Sequence, residues 1–351
     1  MKRRIALFAA PVVVVLLLVT VWVTVFRDRA TPPGEDTLLA AHLSGPGTAL
    51  RDGFTVVEGS SLVGPVVRGD TDLASPASSY WEAVILVTDQ DVLGVWNAYV
   101  SQVAQRILEP EQPSPRGNGC GLDEVIGFGC ALYWEGTMTT GRDTVADLWL
   151  DNAPGDVTGR YVLHVQIKHP TNHPTEKPEP PQMAPSAAGG VEPRDPAPSV
   201  AGSLVPGLVP ARDNRREPFT GDVPTPEPAR DRPRAGEPLA MPNNKHVDDY
   251  EDFPLLEGSQ LLAQYGVGSG TGGFHVILAV DEGADVDRVA AGYVKQGSFG
   301  DGKTKTLVSR HDDDVVTTYY PPGGAGGYSA EITTVDRGTG PDYILYELYN
   351  D

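Results

Sequence analysis

The side chains best suited to chemistry fall into a few groups. His311-Asp312-Asp313-Asp314 and the set His164, His169 and His173 combine imidazole and carboxylate, the donors that suit divalent cations. A strand through His164 and His169 places them on opposite faces, and His173 sits among prolines. These residues therefore read as solvated loop and strand-face positions. Asp281-Glu282-Gly283-Ala284-Asp285-Val286-Asp287 concentrates carboxylates, but it lacks the alternating register and closing glutamate of a calcium loop. Gly266 to Gly273 has the composition of a phosphate cradle, yet it leads into a strand and not a helix, which points to a hairpin loop. No Gly-x-Ser-x-Gly elbow occurs.

Cys120 and Cys130 are the two cysteines. Ringed by glycines and closely spaced, they read as a local disulfide in an oxidising compartment. A redox role would want a tighter Cys-x-x-Cys pair, and zinc would want four ligands. The sequence thus assigns this disulfide and no catalytic, cofactor-binding or metal-binding residue.

The elements that must carry these groups come in two copies. Val84 to Gln102 returns as Val276 to Gln296 with a gap of two, and about half of the paired positions are identical, the mark of an internal repeat. Upstream, Phe54-Thr55-Val56-Val57-Glu58-Gly59-Ser60-Ser61-Leu62 matches Phe253-Pro254-Leu255-Leu256-Glu257-Gly258-Ser259-Gln260-Leu261. Each copy predicts a strand after the Glu-Gly-Ser turn, then an apolar strand (Trp81 to Thr88, Phe274 to Val280). A helix capped by Asp91 or Asp285 follows. Val92, Val95, Trp96, Tyr99 and Val103 share one face of the first helix, which should run to about Leu108; Val286, Val289, Ala290 and Tyr293 repeat the face in the second, which should stop near Gln296-Gly297. Three strands are expected after each helix: Ala131 to Thr137, Val145 to Leu150 and Tyr161 to His169, against Lys305 to Arg310, Tyr328 to Val335 and Asp342 to Leu348. The expected fold class is α+β, each small module being strand-strand-helix-strand-strand-strand, a mostly antiparallel sheet with one helix on one face.

Ahead of the modules, Lys2, Arg3 and Arg4 precede an apolar run from Ile5 to Phe26. Its length matches a bilayer core of about 30 Å, and no small-residue cleavage site follows. The run predicts an uncleaved transmembrane signal anchor over 5–26, with 1–4 cytoplasmic and the bulk extracytoplasmic. A stalk over 27–53, a first module over 54–169, a disordered Pro-rich linker over 170–252 and a second module over 253–351 complete the expected layout. With such a linker the modules would be independent beads. Within the linker, Leu204 to Pro210 forms an apolar island.

A formal charge of −20 argues against nucleic-acid binding. The anchor, repeat and linker suit a single-pass membrane protein whose modules bind or scaffold envelope protein partners and are more readily non-enzymatic than enzymatic, with no cofactor. An extracytoplasmic cell-wall hydrolase using Asp281 or Asp312 to Asp314 is one alternative, and a structural spacer without ligand is another.

Overall fold

The computed structural model describes residues 37–69, 78–108, 119–123, 127–152, 156–170, 219, 221–226, 228–239, 253–265, 274–311, 314–323 and 328–350. Ile5 to Phe26, His173, Leu204 to Pro210, Gly266 to Gly273, Asp312 and Asp313 lie outside them. Among the described residues no helix is long and apolar enough to cross a membrane. The chain divides into two compact units, Met1–His42 and Leu43–Asp351. In the former, α1 (Thr37–Ala40) is a single helical turn. The rest of the fold concerns the latter.

Its first sheet contains β1 (Leu43–Ser44), β2 (Ser60–Gly69) and β3 (Ser79–Val87), then α2 (Val92–Arg106), β4 (Ile107–Leu108), β5 (Gly119–Asp123), β6 (Gly127–Met138), β7 (Asp143–Asp151) and β8 (Val162–His169). The second contains β9 (Ser259–Tyr265), β10 (Phe274–Val280), α3 (Val286–Gln296), β11 (Lys305–His311), β12 (Asp314–Tyr320), β13 (Tyr328–Asp336) and β14 (Tyr343–Asn350). The orders are β1-β2-β3-β8-β7-β6-β4, with β5 also on β6, and β9-β10-β14-β13-β12-β11. Read from β2 and from β9 the two sheets have the same plan, and the pairings are antiparallel. Among the described residues, and apart from the two-residue β4, four strands follow each helix, not three: β5 and β6 correspond to β11 and β12. The Gly-rich cysteine segment concealed β5, and the acids at the start of β12 concealed that strand.

Each helix closes one face of its sheet. Val92, Val95, Trp96, Tyr99, Val100 and Val103 of α2 pack with Leu62, Ile85, Leu132, Leu148 and Val165. Val286, Val289, Ala290 and Tyr293 of α3 do so with Val276, Leu278, Ile332, Ile344 and Tyr346. Both acidic caps stand as expected. Asp91 accepts from the N–H of Gly94, and Asp285 accepts from those of Asp287 and Arg288. The first helix ends at Arg106, short of Leu108, because Ile107 and Leu108 turn extended and pair with Met138 and Thr137 of β6.

The two copies are not beads on a tether. With their helix-covered faces turned outward, the sheets oppose each other through β2 and β8 of the first and β9, β10, β11 and β12 of the second. Gly64 of β2 approaches so closely that a Cβ there would lie 2.8 Å from Ile277 Cδ1 and 3.1 Å from the Tyr343 ring; its φ of +69° also favours glycine. Nor is 170–252 irregular throughout in the sense expected. Residues 219, 221–226 and 228–239 lie along the two cores. Phe219 packs on Phe128, the Tyr161 hydroxyl donates to the Pro224 carbonyl, and Leu239 is buried in the second core with Phe253 and Leu255. Proline leaves carbonyls free to accept, and the non-proline residues between also donate: Arg230 N–H to the Asp156 carbonyl, and Leu239 N–H to the Phe253 carbonyl beside Leu255 N–H to the Glu237 carbonyl, an isolated antiparallel bridge. The expected stalk likewise joins the body from Leu43 onward: β1 pairs with β2, and Leu50 is in the first core.

Candidate functional site

The face-to-face packing encloses a polar cluster. In an antiparallel pair, residues directly opposite share a face. Leu163, Val165 and Ile167 of β8 point to the α2 side, so His164 and Gln166 point to the second sheet, as does Glu82 of β3, which lies opposite Gln166. From the second sheet Tyr265, His275 and Glu347 point back; Tyr265 lies opposite His275, and His275 opposite Glu347. All five of Glu82, His164, Tyr265, His275 and Glu347 are buried.

The geometry is tight. His164 Nε2 lies 3.1 Å from Glu82 Oε2, and Gln166 Nε2 donates to the same oxygen at 3.4 Å. The Tyr265 hydroxyl donates to Glu347 Oε1 at 3.0 Å, and His275 Nδ1 is 3.3 Å from that oxygen. The Tyr265 ring lies between the two imidazoles, with centroids 4.9 Å from His164 and 5.3 Å from His275. One ligand atom each from Glu82, His164 and Glu347 falls within 4.8 Å of the others. Burial works against a charged His164, but the hydrogen bond and negative charge of Glu82, with Glu347 and Asp147 adding to it, outweigh this and raise its pKa above the ordinary value. Tyr265 is pushed well up, chiefly by burial and then by the carboxylate charges of Glu347 and Glu82, so it stays a neutral donor.

A second constellation lies on the helix-covered side of the first sheet. Arg51-Asp52-Gly53-Phe54 is a tight turn in which Phe54 N–H donates to Arg51 C=O and both central residues have positive φ (53° and 78°), the type I′ geometry that Asp-Gly favours. The turn presents Asp52 Oδ2 to Trp81 Nε1 at 2.6 Å and His169 Nε2 at 2.9 Å, and His169 Nδ1 lies 3.0 Å from Thr144 Oγ1. This has the outline of a hydroxyl-imidazole-carboxylate relay. Two facts oppose nucleophilic use: Thr144 is 1% exposed, and its hydroxyl donates to the Arg142 carbonyl, not to the imidazole that would have to take its proton. It is a structural lock.

The strand periodicity placed His164 and His169 on opposite faces correctly, but neither is solvated. Each is buried against a carboxylate, because both faces of β8 are covered. Asp281 lines an open depression of about 390 Å³ with Arg232, Arg234 and Glu257, where Gln260 Nε2 donates to its carboxylate at 2.5 Å. Asp314 lies 3.8 Å from Arg337. Cys120 and Cys130, directly opposite on β5 and β6, form the expected disulfide. Sequence reasoning passed over Glu82, Tyr265, His275 and Glu347. Their signal was available: β3 and β10 are apolar runs without alternation, the pattern of strands covered on both faces, each interrupted by a polar residue.

Comparison with known proteins adds little. No family model matches the chain, and no curated protein does. Among solved structures, one similarity is to a conserved protein of unknown function with a hot dog fold from Alicyclobacillus acidocaldarius (11% identity, covering 78% of this chain and 92% of that one, TM-score 0.14). Another is to a bifunctional dehydratase-cyclase domain in ambruticin biosynthesis (12% identity, covering 83% and 95%, TM-score 0.14). At these TM-scores neither bears on fold or function.

Proposed function

We propose that the chain is a single-pass membrane protein of the cell envelope, anchored through Ile5 to Phe26, whose duplicated α+β modules form one body that binds other envelope proteins rather than transforming a substrate. The observation that carries this reading is the position of the large exposed apolar side chains. Among the described residues these are Leu108, Leu122 and Val308. Leu108 and Leu122 lie on β4 and β5 at the outer margin of the first sheet, and Val308 lies on β11, the corresponding margin of the second. An edge strand offers unpaired N–H and C=O groups, and apolar side chains beside them favour addition of an extended segment of a partner polypeptide. The groups that resemble catalytic sets, by contrast, are paired with one another and, Asp52 apart, buried.

Burying one such leucine contributes about 1.5–3 kcal/mol, so its replacement by lysine should weaken binding roughly 10- to 100-fold. The test is copurification from membranes of wild-type full-length chain beside Leu122→Lys and Val308→Lys. The reading expects proteins retained by the wild type to be lost from the edge variants. Equal retention by all three would reject it.

A further inference from the structure

We propose that Glu82, His164 and Glu347 form a structural site for one divalent transition metal of the zinc type, set between the two sheets. Both sheets contribute: Glu82 and His164 come from β3 and β8 of the first, Glu347 from β14 of the second, and His275 of β10 stands beside Glu347 as an outer group. A tetrahedral zinc with ligands about 2.0–2.1 Å away holds adjacent ligand atoms about 3.3 Å apart. The His164 Nε2 to Glu82 Oε2 distance is 3.1 Å, and His275 Nδ1 to Glu347 Oε1 is 3.3 Å. The first pair is therefore spaced as neighbouring ligands already, and the Glu82, His164 and Glu347 donor atoms lie within 4.8 Å of one another, close enough to converge on one ion with small side-chain movement.

Charge and surroundings favour the same occupant. Two carboxylates enclosed between sheets repel each other and lose their hydration, and a divalent cation offsets both effects together. Mixed imidazole and carboxylate donors suit zinc better than calcium or magnesium, which favour all-oxygen sets. Outer groups hold the ligands in place, as metal sites require: Tyr265 donates to Glu347, and Gln166 to Glu82. Three buried protein donors shared between the sheets, with a water-type oxygen completing the tetrahedron, make the ion a clamp loaded as the sheets close.

The test uses the full-length chain in detergent, stripped with a chelator, confirmed folded by circular dichroism, and titrated with Zn²⁺ or Co²⁺ alone. The proposal expects one metal per chain by elemental analysis, a rise in the thermal midpoint of at least about 5 °C on adding zinc, and the intense visible absorption of tetrahedral Co²⁺. His164→Gln and Glu347→Gln should each weaken binding at least about 100-fold. Should the variants not fold, the Co²⁺ spectrum of the wild type decides the matter. A folded wild-type chain whose midpoint zinc leaves unchanged, or whose Co²⁺ shows only the weak absorption of an octahedral ion, would overturn the proposal.

Discussion

Tyr99 and Tyr293 occupy equivalent positions on the two helices, and each makes the same three-centre contact with the turn that opens its module. The Tyr293 hydroxyl accepts from Leu256 N–H at 3.0 Å and lies 2.8 Å from Ser259 Oγ, which itself donates to the Leu256 carbonyl. Tyr99 repeats this with Val57 and Ser60. Because each serine proton goes to a carbonyl, the tyrosine proton goes to the serine. The Glu-Gly-Ser repeat thus records a turn, with Gly59 and Gly258 at φ of 75° and 85°, and a serine held by the helix. Tyr293→Phe strands a buried N–H and a hydroxyl and should cost about 1–3 kcal/mol, read as a lower denaturation midpoint. Asp52 gives a pH signature. The hydrogen bond from His169 and, despite burial, those from Trp81 and the nearby charges hold its carboxyl below the ordinary range. The unfolded chain then binds more protons, so this stabilisation is complete above about pH 4 and fades as pH falls through the lowered folded value. Asp52→Asn should flatten the acid limb of a plot of urea midpoint against pH. Parallel profiles for the two proteins would show that Asp52 contributes nothing there.

At the scale of elements, the helices and their acidic caps were legible because capping and 3.6-residue periodicity are local. The disulfide was legible for the same reason. It ties β5 to β6 across directly opposed residues, and on loop entropy its removal by Cys120→Ser with Cys130→Ser should cost about 3 kcal/mol, measured as a lower denaturation midpoint. Strand count was less legible. β5 is built from Gly119-Cys120-Gly121-Leu122-Asp123, whose glycines have low strand propensity; pairing along β6 overrides it. β12 opens on Asp314, yet Val316 and Thr318 are buried between neighbouring strands and the opposing sheet. The strap at 219–239 was invisible because proline content reports what the backbone cannot donate, not what its carbonyls can accept.

For the whole molecule, what local patterns could not convey is that the modules meet. That contact depends on pairs far apart in sequence. Asp156, in the turn between β7 and β8, is one: its carboxylate accepts from Gln264 N–H of β9 at 3.0 Å and from Thr158 N–H at 2.9 Å, while its carbonyl accepts from Arg230 N–H of the strap at 3.1 Å. Burial pushes its carboxyl up in spite of these bonds. Asp156→Ala leaves the Gln264 N–H buried without its acceptor and should destabilise both modules together by about 1–3 kcal/mol. A thermal scan showing one transition displaced as a unit is the expected readout.

Packed face to face, the two sheets should unfold as one cooperative body, and the tryptophans report on whether they do. Trp81, Trp96, Trp134 and Trp149 all lie in the first module, and the second has none. The fifth tryptophan, Trp22, lies in the apolar run 5–26, so urea unfolding of the full-length chain carrying Trp22→Phe, followed by tryptophan fluorescence, reports on the first module alone. Tyr293→Phe, a change confined to the core of the second module, should move the tryptophan midpoint to lower urea. A tryptophan transition left in place while the far-ultraviolet signal of the second module shifts would contradict it.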